Sequence, residues 1–145
     1  MPQPESILDF RTSDHEILAA RARSITHGSQ INLAIALVGS EDTMEVEEGA
    51  AILEETLRDA IHSEDSRICI HYLAVAHARL RNYDKSLSLL DALLLSEPSN
   101  MQATALRKVV EKKMKREGLL GLGLLGGAAA VIGGIVIAGF ALKNK

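Results

Sequence analysis

The sequence has no tryptophan, one cysteine, two phenylalanines and two tyrosines in 145 residues. A single cysteine, Cys69, excludes an intramolecular disulfide and gives no indication of an oxidising compartment. So few aromatic rings provide no stacking platform for bases, and residues 1–106 hold eight Lys/Arg against seventeen Asp/Glu, net −9. We therefore predict no nucleic-acid partner, because such proteins present basic surfaces and aromatic platforms.

The residue patterns of catalytic and metal sites are also missing. The five histidines never recur at the three- or four-residue spacing that places two metal ligands on one helical face. No glycine-rich phosphate loop is present, and Gly121-x-Gly123 lies in an apolar run rather than after a strand. We expect no enzyme activity, no catalytic residue, no metal and no cofactor, with Cys69 and His71 serving as packing residues.

One uncharged run dominates the C-terminal end, residues 118–142, with twenty-five residues that include eight glycines. About 20 apolar residues span a bilayer as a helix, and glycine is more common in such helices than in soluble ones. We predict a transmembrane tail anchor; a buried core helix is the alternative. Basic residues flank the run and are predicted to lie at the membrane surface and to direct targeting: Lys112, Lys113, Lys115, Arg116, Lys143 and Lys145.

The anchor divides the chain into predicted parts. Residues 1–12 form an N-terminal arm, residues 13–117 a cytosolic domain and residues 143–145 a basic tip in the lumen or intermembrane space. Residues 1–14 contain acids and no apolar core, so no signal sequence is expected to export the head. Small residues at four-residue spacing, Gly123 with Gly127 and Ala130 with Gly134, are predicted packing positions through which anchors could self-associate into a homo-oligomer.

Helical periodicity runs through the whole head, and no stretch alternates as strands do. We predict six helices: one capped by Ser13 and ending near His27, then Gln30 to Val38, one capped by Thr43 and running to about Ile61, Asp65 to Leu80, Tyr83 to Ser96, and Met101 to Glu117. Ser13 and Glu16 form a capping-box pattern. Ile17, Leu18, Ala22 and Ile25 are assigned to one face of the first helix.

The second and third predicted helices repeat in the fourth and fifth at an offset of 37 residues. Leu33 corresponds to Ile70, Gly49 to Ser86 and Leu53 to Leu90. This period is close to the ~34 residues of tetratricopeptide repeats. The predicted fold class is therefore all-α, a six-helix tetratricopeptide-like superhelical bundle followed by a C-terminal transmembrane helix. Its second, fourth and sixth helices would line a concave groove.

Several of these segments together resemble the mitochondrial fission 1 protein family. They are Tyr72-Leu73-Ala74-Val75, Arg79-Leu80 with Tyr83, Glu97-Pro98, and Lys112-Lys113-Met114-Lys115 leading through Gly118-Leu119 into a Gly/Ala-rich tail. The resemblance covers about residues 31–145 and includes Gly49 and Leu53-Glu54-Glu55. The chain departs from relatives at Glu41 and Asp42, where a basic and an aromatic residue are common, and at Ala78, where animal relatives often have tyrosine.

The resemblance implies a tail-anchored protein of the mitochondrial outer membrane, and also of peroxisomes, with its head facing the cytosol. It implies an adaptor that recruits or regulates a dynamin-related GTPase, directly or through that GTPase's own adaptors, and that engages regulators of small GTPases. The bilayer is a further partner. Other readings remain: a tail-anchored tetratricopeptide chaperone or import receptor, and a membrane-remodelling protein that acts through anchor self-association.

Counting along the repeat gives ten positions for the partner-binding groove. We call them the predicted groove: Ile31, Ala34, Val38, Ile68, His71, Val75, Ala78, Gln102, Ala105 and Val109. Several of them could instead pack against the N-terminal arm, which the sequence leaves either as a mobile arm on the domain or as a disordered tail. An arm that covers the groove through Ile7, Leu8 and Phe10 would be regulatory, because a partner could bind only after its release.

Overall fold

A computed structural model describes residues 7–27, 30–59 and 65–117, together with residues 131–132 and 135–136. The head is all-α, with six helices at the predicted places. They are α1 (Asp14–His27), α2 (Gln30–Val38), α3 (Thr43–Asp59), α4 (Asp65–Arg79), α5 (Tyr83–Ser96) and α6 (Met101–Arg116).

Side chains and turns fix where the helices begin. At α1 the predicted capping box is present: the Glu16 N–H donates to Ser13 Oγ at 3.2 Å, and the Ser13 N–H donates to Glu16 Oε2 at 2.8 Å. At α3 the prediction was wrong by one residue, since Thr43 is already helical. The preceding Asp42 caps the helix, because its Oδ1 accepts the Met44 N–H at 2.9 Å.

Each helix packs against the next one along the chain, and α4 also contacts α2 and α6. This layer of α2, α4 and α6 closes on α3 and α5 over one buried cluster. Its fully buried leucines and isoleucine come from four helices, α3 to α6: Leu53, Leu57, Ile70, Leu73, Leu89, Leu90, Leu93 and Leu106. A smaller buried cluster joins Ile17 and Ala20 of α1 to Leu33 and Leu37 of α2.

The buried face of α1 differs from the predicted one. Ile17 is buried, but Leu18 is 67% exposed and Ile25 is 85% exposed. The buried positions are Ile17, Ala20 and Ser24, which recur at helical spacing on the side that packs against α2. α1 buries this one stripe, and Leu18 and Ile25 stay at the surface.

The 37-residue repeat marks two places where helices approach closely. A Cβ built on Gly49 in α3 would lie 2.9 Å from the Ala34 carbonyl oxygen of α2. At the corresponding position in α5, the Ser86 hydroxyl is buried and donates to the Ala74 carbonyl of α4 at 2.8 Å. The repeat therefore keeps a small residue wherever the second helix of a pair meets the backbone of the first.

The segment predicted as the anchor lies largely outside the described residues. Within it, β1 (Val131–Ile132) and β2 (Ile135–Val136) pair antiparallel, with Val131 opposite Val136. At these four positions the residues form strands rather than the predicted helix, and β-branched residues favour strands. No helix among the described residues is long and apolar enough to cross a membrane.

Candidate functional site

Residues 7–12 of the arm lie against the helical domain. Leu8 is 6% exposed and belongs to the main buried cluster, and the half-buried Ile7 and Phe10 pack against the same cluster. The Phe10 ring meets the Tyr72 ring edge to face, with centroids 6.2 Å apart. Of the two readings of residues 1–12, an arm on the domain therefore applies to residues 7–12, and residues 1–6 lie outside the described part.

Backbone contacts hold the end of the arm against the turn after α2. The Thr12 N–H donates to the Gly39 carbonyl at 2.8 Å. The Arg11 guanidinium donates to the carbonyls of Leu8 at 3.1 Å and Phe10 at 2.9 Å, which keeps this part of the arm folded. A Cβ on Gly39 would collide with the Thr12 hydroxyl and would lie 2.5 Å from Phe10 Cε2. The arm can approach this turn so closely because residue 39 has no side chain.

The predicted groove divides into buried and accessible positions when the arm is in place. Ile68 is 42% exposed and Gln102 is exposed, while Ile31, His71 and Ala105 are half-buried. The other five positions are buried: Ala34, Val38, Val75, Ala78 and Val109. A partner could therefore reach about half of the predicted positions without any movement of the arm.

Two cavities meet at Val109 and Lys112 on α6. A small one of about 80 Å³ lies between the arm residues Leu8 and Asp9 and the helix residues Val109, Lys112, Lys113 and Arg116. A larger one of about 540 Å³ is lined by Pro98, Ser99, Met101, Thr104, Ala105, Lys108, Val109 and Lys112. The sequence prediction missed Met101, Thr104 and Lys108. Their helical spacing with Ala105 and Lys112 along one side of α6 is the signal that could have found them.

One residue of the predicted basic flank at the end of α6 forms an ion pair within the domain. Lys112, Lys115 and Arg116 are exposed, whereas Lys113 is half-buried with its ammonium 3.7 Å from Glu117. Lys143 and Lys145, and the predicted anchor-packing residues Gly123, Gly127, Ala130 and Gly134, lie outside the described residues.

Glu117 ties the end of α6 to the turn between α4 and α5. Its carboxylate accepts the Tyr83 hydroxyl at 2.5 Å and lies 2.7 Å from the Arg81 guanidinium. Burial, together with the bond to Glu117, raises the pKa of Tyr83 to about 12. Arg81 reaches this position from a left-handed backbone conformation, φ 66°. The last turn before the apolar run is therefore fixed to the domain.

Two potentially reactive side chains of α4 lie in packed surroundings. Cys69 is fully buried, and burial raises the pKa of its thiol to about 11, so the unreactive protonated form is favoured. The His71 ring lies 5.0 Å from the Tyr72 ring, and burial lowers its pKa. The described residues contain no group of three or more potential metal ligands.

His77 is the most strongly perturbed histidine in the described part of the chain. Only 5% of it is exposed, and its Nε2 has no hydrogen-bond partner among the described residues; Glu54 Oε1 lies 3.6 Å away. Burial first, and then the nearby charge of Lys85, lower the pKa of His77 from 6.5 to about 4, against an opposing effect of Asp84. The imidazole is therefore neutral at pH 7.

Acidification is expected to destabilise the domain through His77. Between pH 6.5 and about 4 the unfolded chain binds a proton at this residue and the folded chain does not. The free energy of unfolding therefore decreases as the pH is lowered, by up to roughly 3 kcal/mol. Burial raises the pKa of Glu54, whose contribution has the opposite sign and offsets part of the loss at the acid end. Urea unfolding at pH 7, 6 and 5 gives the free energy of unfolding as a function of pH. This free energy should depend less on pH in His77→Asn than in the wild type or in the variant of an exposed histidine, His15→Asn. Equal pH dependence in all three proteins would contradict a role of His77 in acid destabilisation.

Comparison with known proteins places these features in a family. The model of the Fis1 N-terminal tetratricopeptide repeat matches residues 28–60, and that of the Fis1 C-terminal tetratricopeptide repeat matches residues 67–119. FIS1-related protein fis-1 of Caenorhabditis elegans is 70% identical over 142 residues, which cover 98% of this chain and 99% of the relative. The chain belongs to the mitochondrial fission 1 (Fis1) family.

More distant members of the Fis1 family agree with this placement. Homo sapiens mitochondrial fission 1 protein is 36% identical over 114 residues, 79% of this chain and 74% of the relative. The crystal structure of Saccharomyces cerevisiae Fis1 is 24% identical, with a TM-score of 0.69 over 81% of this chain and 95% of that one. Yeast Fis1 in complex with an Mdv1 fragment containing N-terminal extension and coiled-coil domains gives a TM-score of 0.71 at 25% identity, over 82% and 97% of the two chains.

The Fis1 repeat models cover the predicted groove but not the arm. All ten groove positions fall inside residues 28–60 or 67–119, whereas residues 7–12 and α1 precede both ranges. The two repeats thus correspond to the 37-residue repeat found in the sequence, and the arm lies outside both family models.

Proposed function

We propose that this chain is a non-enzymatic, tail-anchored adaptor of the mitochondrial outer membrane, and also of peroxisomes, that recruits or regulates a dynamin-related fission GTPase or its adaptors. The observation that carries the proposal is its 70% identity, over 98% of its length, to a FIS1-related protein. The mitochondrial fission 1 proteins among its relatives support mitochondria as the organelle.

The partner binds, in this proposal, at the face formed by α2, α4 and α6. The yeast Fis1 complex with an Mdv1 fragment supports a binding role for the helical domain. On this chain the accessible positions Ile68, Gln102 and Ala105 would make the first contacts. Burial of Leu8 against the domain supports a regulatory arm, since a partner that needs the surface beneath Leu8 has to displace it.

The membrane end of the proposal rests on the sequence of residues 118–142. Twenty-five uncharged residues between basic flanks are typical of a bilayer span, with the head in the cytosol and residues 143–145 on the other side. The contacts of Glu117 support a short and rigid connection, because they fix the last helical turn before this run.

Removing the chain from its own cells is expected to give elongated, poorly divided mitochondria. Full-length protein should restore normal shape. A head of residues 1–117 fused to an unrelated outer-membrane anchor should do so as well, because the helical domain does the recruiting. Organelle length measured by microscopy decides the matter. Failure of the fused head, with rescue by the native anchor alone, would favour membrane remodelling through the anchor and contradict the adaptor proposal.

A further inference from the structure

The arm packs beside α6 at a place where apolar and basic side chains of that helix lie next to each other. Leu8 of the arm and Val109 of α6 belong to the same buried cluster. Asp9, the next residue, is exposed and lines the small cavity together with Lys112, Lys113 and Arg116. Leu8 of the arm thus packs into the same core as Val109, and the cavity beside them is lined by Asp9 and by three basic residues of α6.

The larger cavity beside it has the same chemistry and no occupant among the described arm residues. It shares Val109 and Lys112 with the small cavity and adds Ala105, Lys108 and Met101, which is 77% exposed. No carboxylate lines it. Two other sizeable cavities of the described domain do contain carboxylates, one from Glu47 and Glu54 and the other from four acids: Asp14, Glu16, Glu41 and Asp42.

This contrast matters because the head is acidic as a whole. Residues 1–106 carry a net charge of −9, so an acidic partner segment is repelled by most of the surface. At Lys108 and Lys112 the sign of the charge is reversed beside an apolar floor. Charge complementarity of this kind selects among partners and fixes their register more than it adds affinity.

We infer that the cavity beside Ala105 and Val109 binds an acidic, aliphatic segment of a protein partner. An apolar side chain of that segment rests on Ala105 and Val109, and a carboxylate of the segment lies beside Lys108. The inference rests on the proposed adaptor function and specifies the chemistry of the partner. It does not require the arm to leave.

A labelled peptide with the sequence of residues 5–10, Glu-Ser-Ile-Leu-Asp-Phe, is a suitable probe. Full-length chain in nanodiscs of zwitterionic lipid is expected to bind it, as measured by fluorescence anisotropy. Lys108→Glu should weaken binding about fivefold or more, because it replaces an attraction by a repulsion at a half-open site. A twin peptide carrying Asp9→Lys should bind poorly to the wild type and better to Lys108→Glu.

Lys85→Glu provides the matched control, since Lys85 is also exposed but lies on α5 outside the lining of this cavity. Equal weakening by Lys85→Glu and Lys108→Glu would overturn the inference, because it would show a response to net charge alone. Absence of peptide binding together with Lys108-dependent binding to phosphatidylserine vesicles would overturn it as well and identify a lipid site. If Lys108→Glu loses peptide binding but still restores organelle shape, the cavity is not where the partner of the adaptor binds. That result would overturn this inference and leave the proposed adaptor function intact.

Discussion

Replacing Gly49 with valine is expected to lower the free energy of unfolding of the helical domain by about 3 kcal/mol. A Cβ at this position would lie 2.9 Å from the Ala34 carbonyl oxygen, 3.0 Å from Leu37 Cβ and 3.1 Å from Val38 Cγ2. The first contact is with backbone and cannot be relieved by a rotamer change, so α2 and α3 have to separate. In a domain of about 100 residues this loss lowers the melting temperature by more than about 10 °C.

Ala51→Val is the control, because Ala51 is exposed on the same helix two residues later. It introduces the same β-branched side chain and should cost less than about 1 kcal/mol, mainly through helix propensity. Thermal unfolding followed by circular dichroism gives both values. If the two variants melt at similar temperatures, the close approach of α2 and α3 at Gly49 is not what limits the packing of the repeat.

Replacing Gly39 with leucine is expected to release the arm and leave the helical bundle folded. The new side chain occupies the space of Phe10 and Thr12, and both belong to the arm. Release exposes Leu8, whose burial contributes about 1.5–3 kcal/mol. We therefore expect hydrogen exchange of residues 7–12 to become ten- to a hundredfold faster in the variant. The Thr12 amide should respond first, because in the wild type it donates to the Gly39 carbonyl.

The same variant tests the regulatory role of the arm. If the arm competes with a partner, the apparent affinity for that partner rises as the arm-released fraction rises. Phe10→Ala should act in the same direction by removing the contact with Tyr72, whereas Leu18→Ala, on an exposed position of α1 that no arm contact involves, should change nothing. Faster exchange with unchanged partner affinity would leave the arm as a structural element only.

Local sequence signals were sufficient for most of the secondary structure. The repeat at 37 residues, the capping box at Ser13 and the Glu97-Pro98 turn each depend on neighbouring residues, and the helices begin and end within two residues of the prediction. The α1 face was less predictable. Leu18 and Ile25 are as apolar as Ile17, and only the position of α2 decides which of them is covered.

The candidate site followed the same division. Counting repeat positions led to the ten groove residues, but whether each is accessible depends on contacts between segments far apart in the chain, such as that of Gly49 with Ala34 and Val38 and that of Phe10 with Tyr72. Lys108 was missed for a related reason. A lysine at the surface of a helix is ordinary until the structure places it beside an apolar cavity without carboxylates.

By itself, then, the sequence determined an all-α repeat domain, an acidic head with a basic end, and membership of a fission-protein family. Periodicity, charge and motifs depend only on the order of residues in the chain. Only the tertiary structure decided that residues 7–12 lie on the domain, which half of the predicted groove stays accessible, and how Glu117 fixes the end of α6. These features depend on distances between segments that are remote in sequence, and burial and electrostatics act through such distances rather than along the chain.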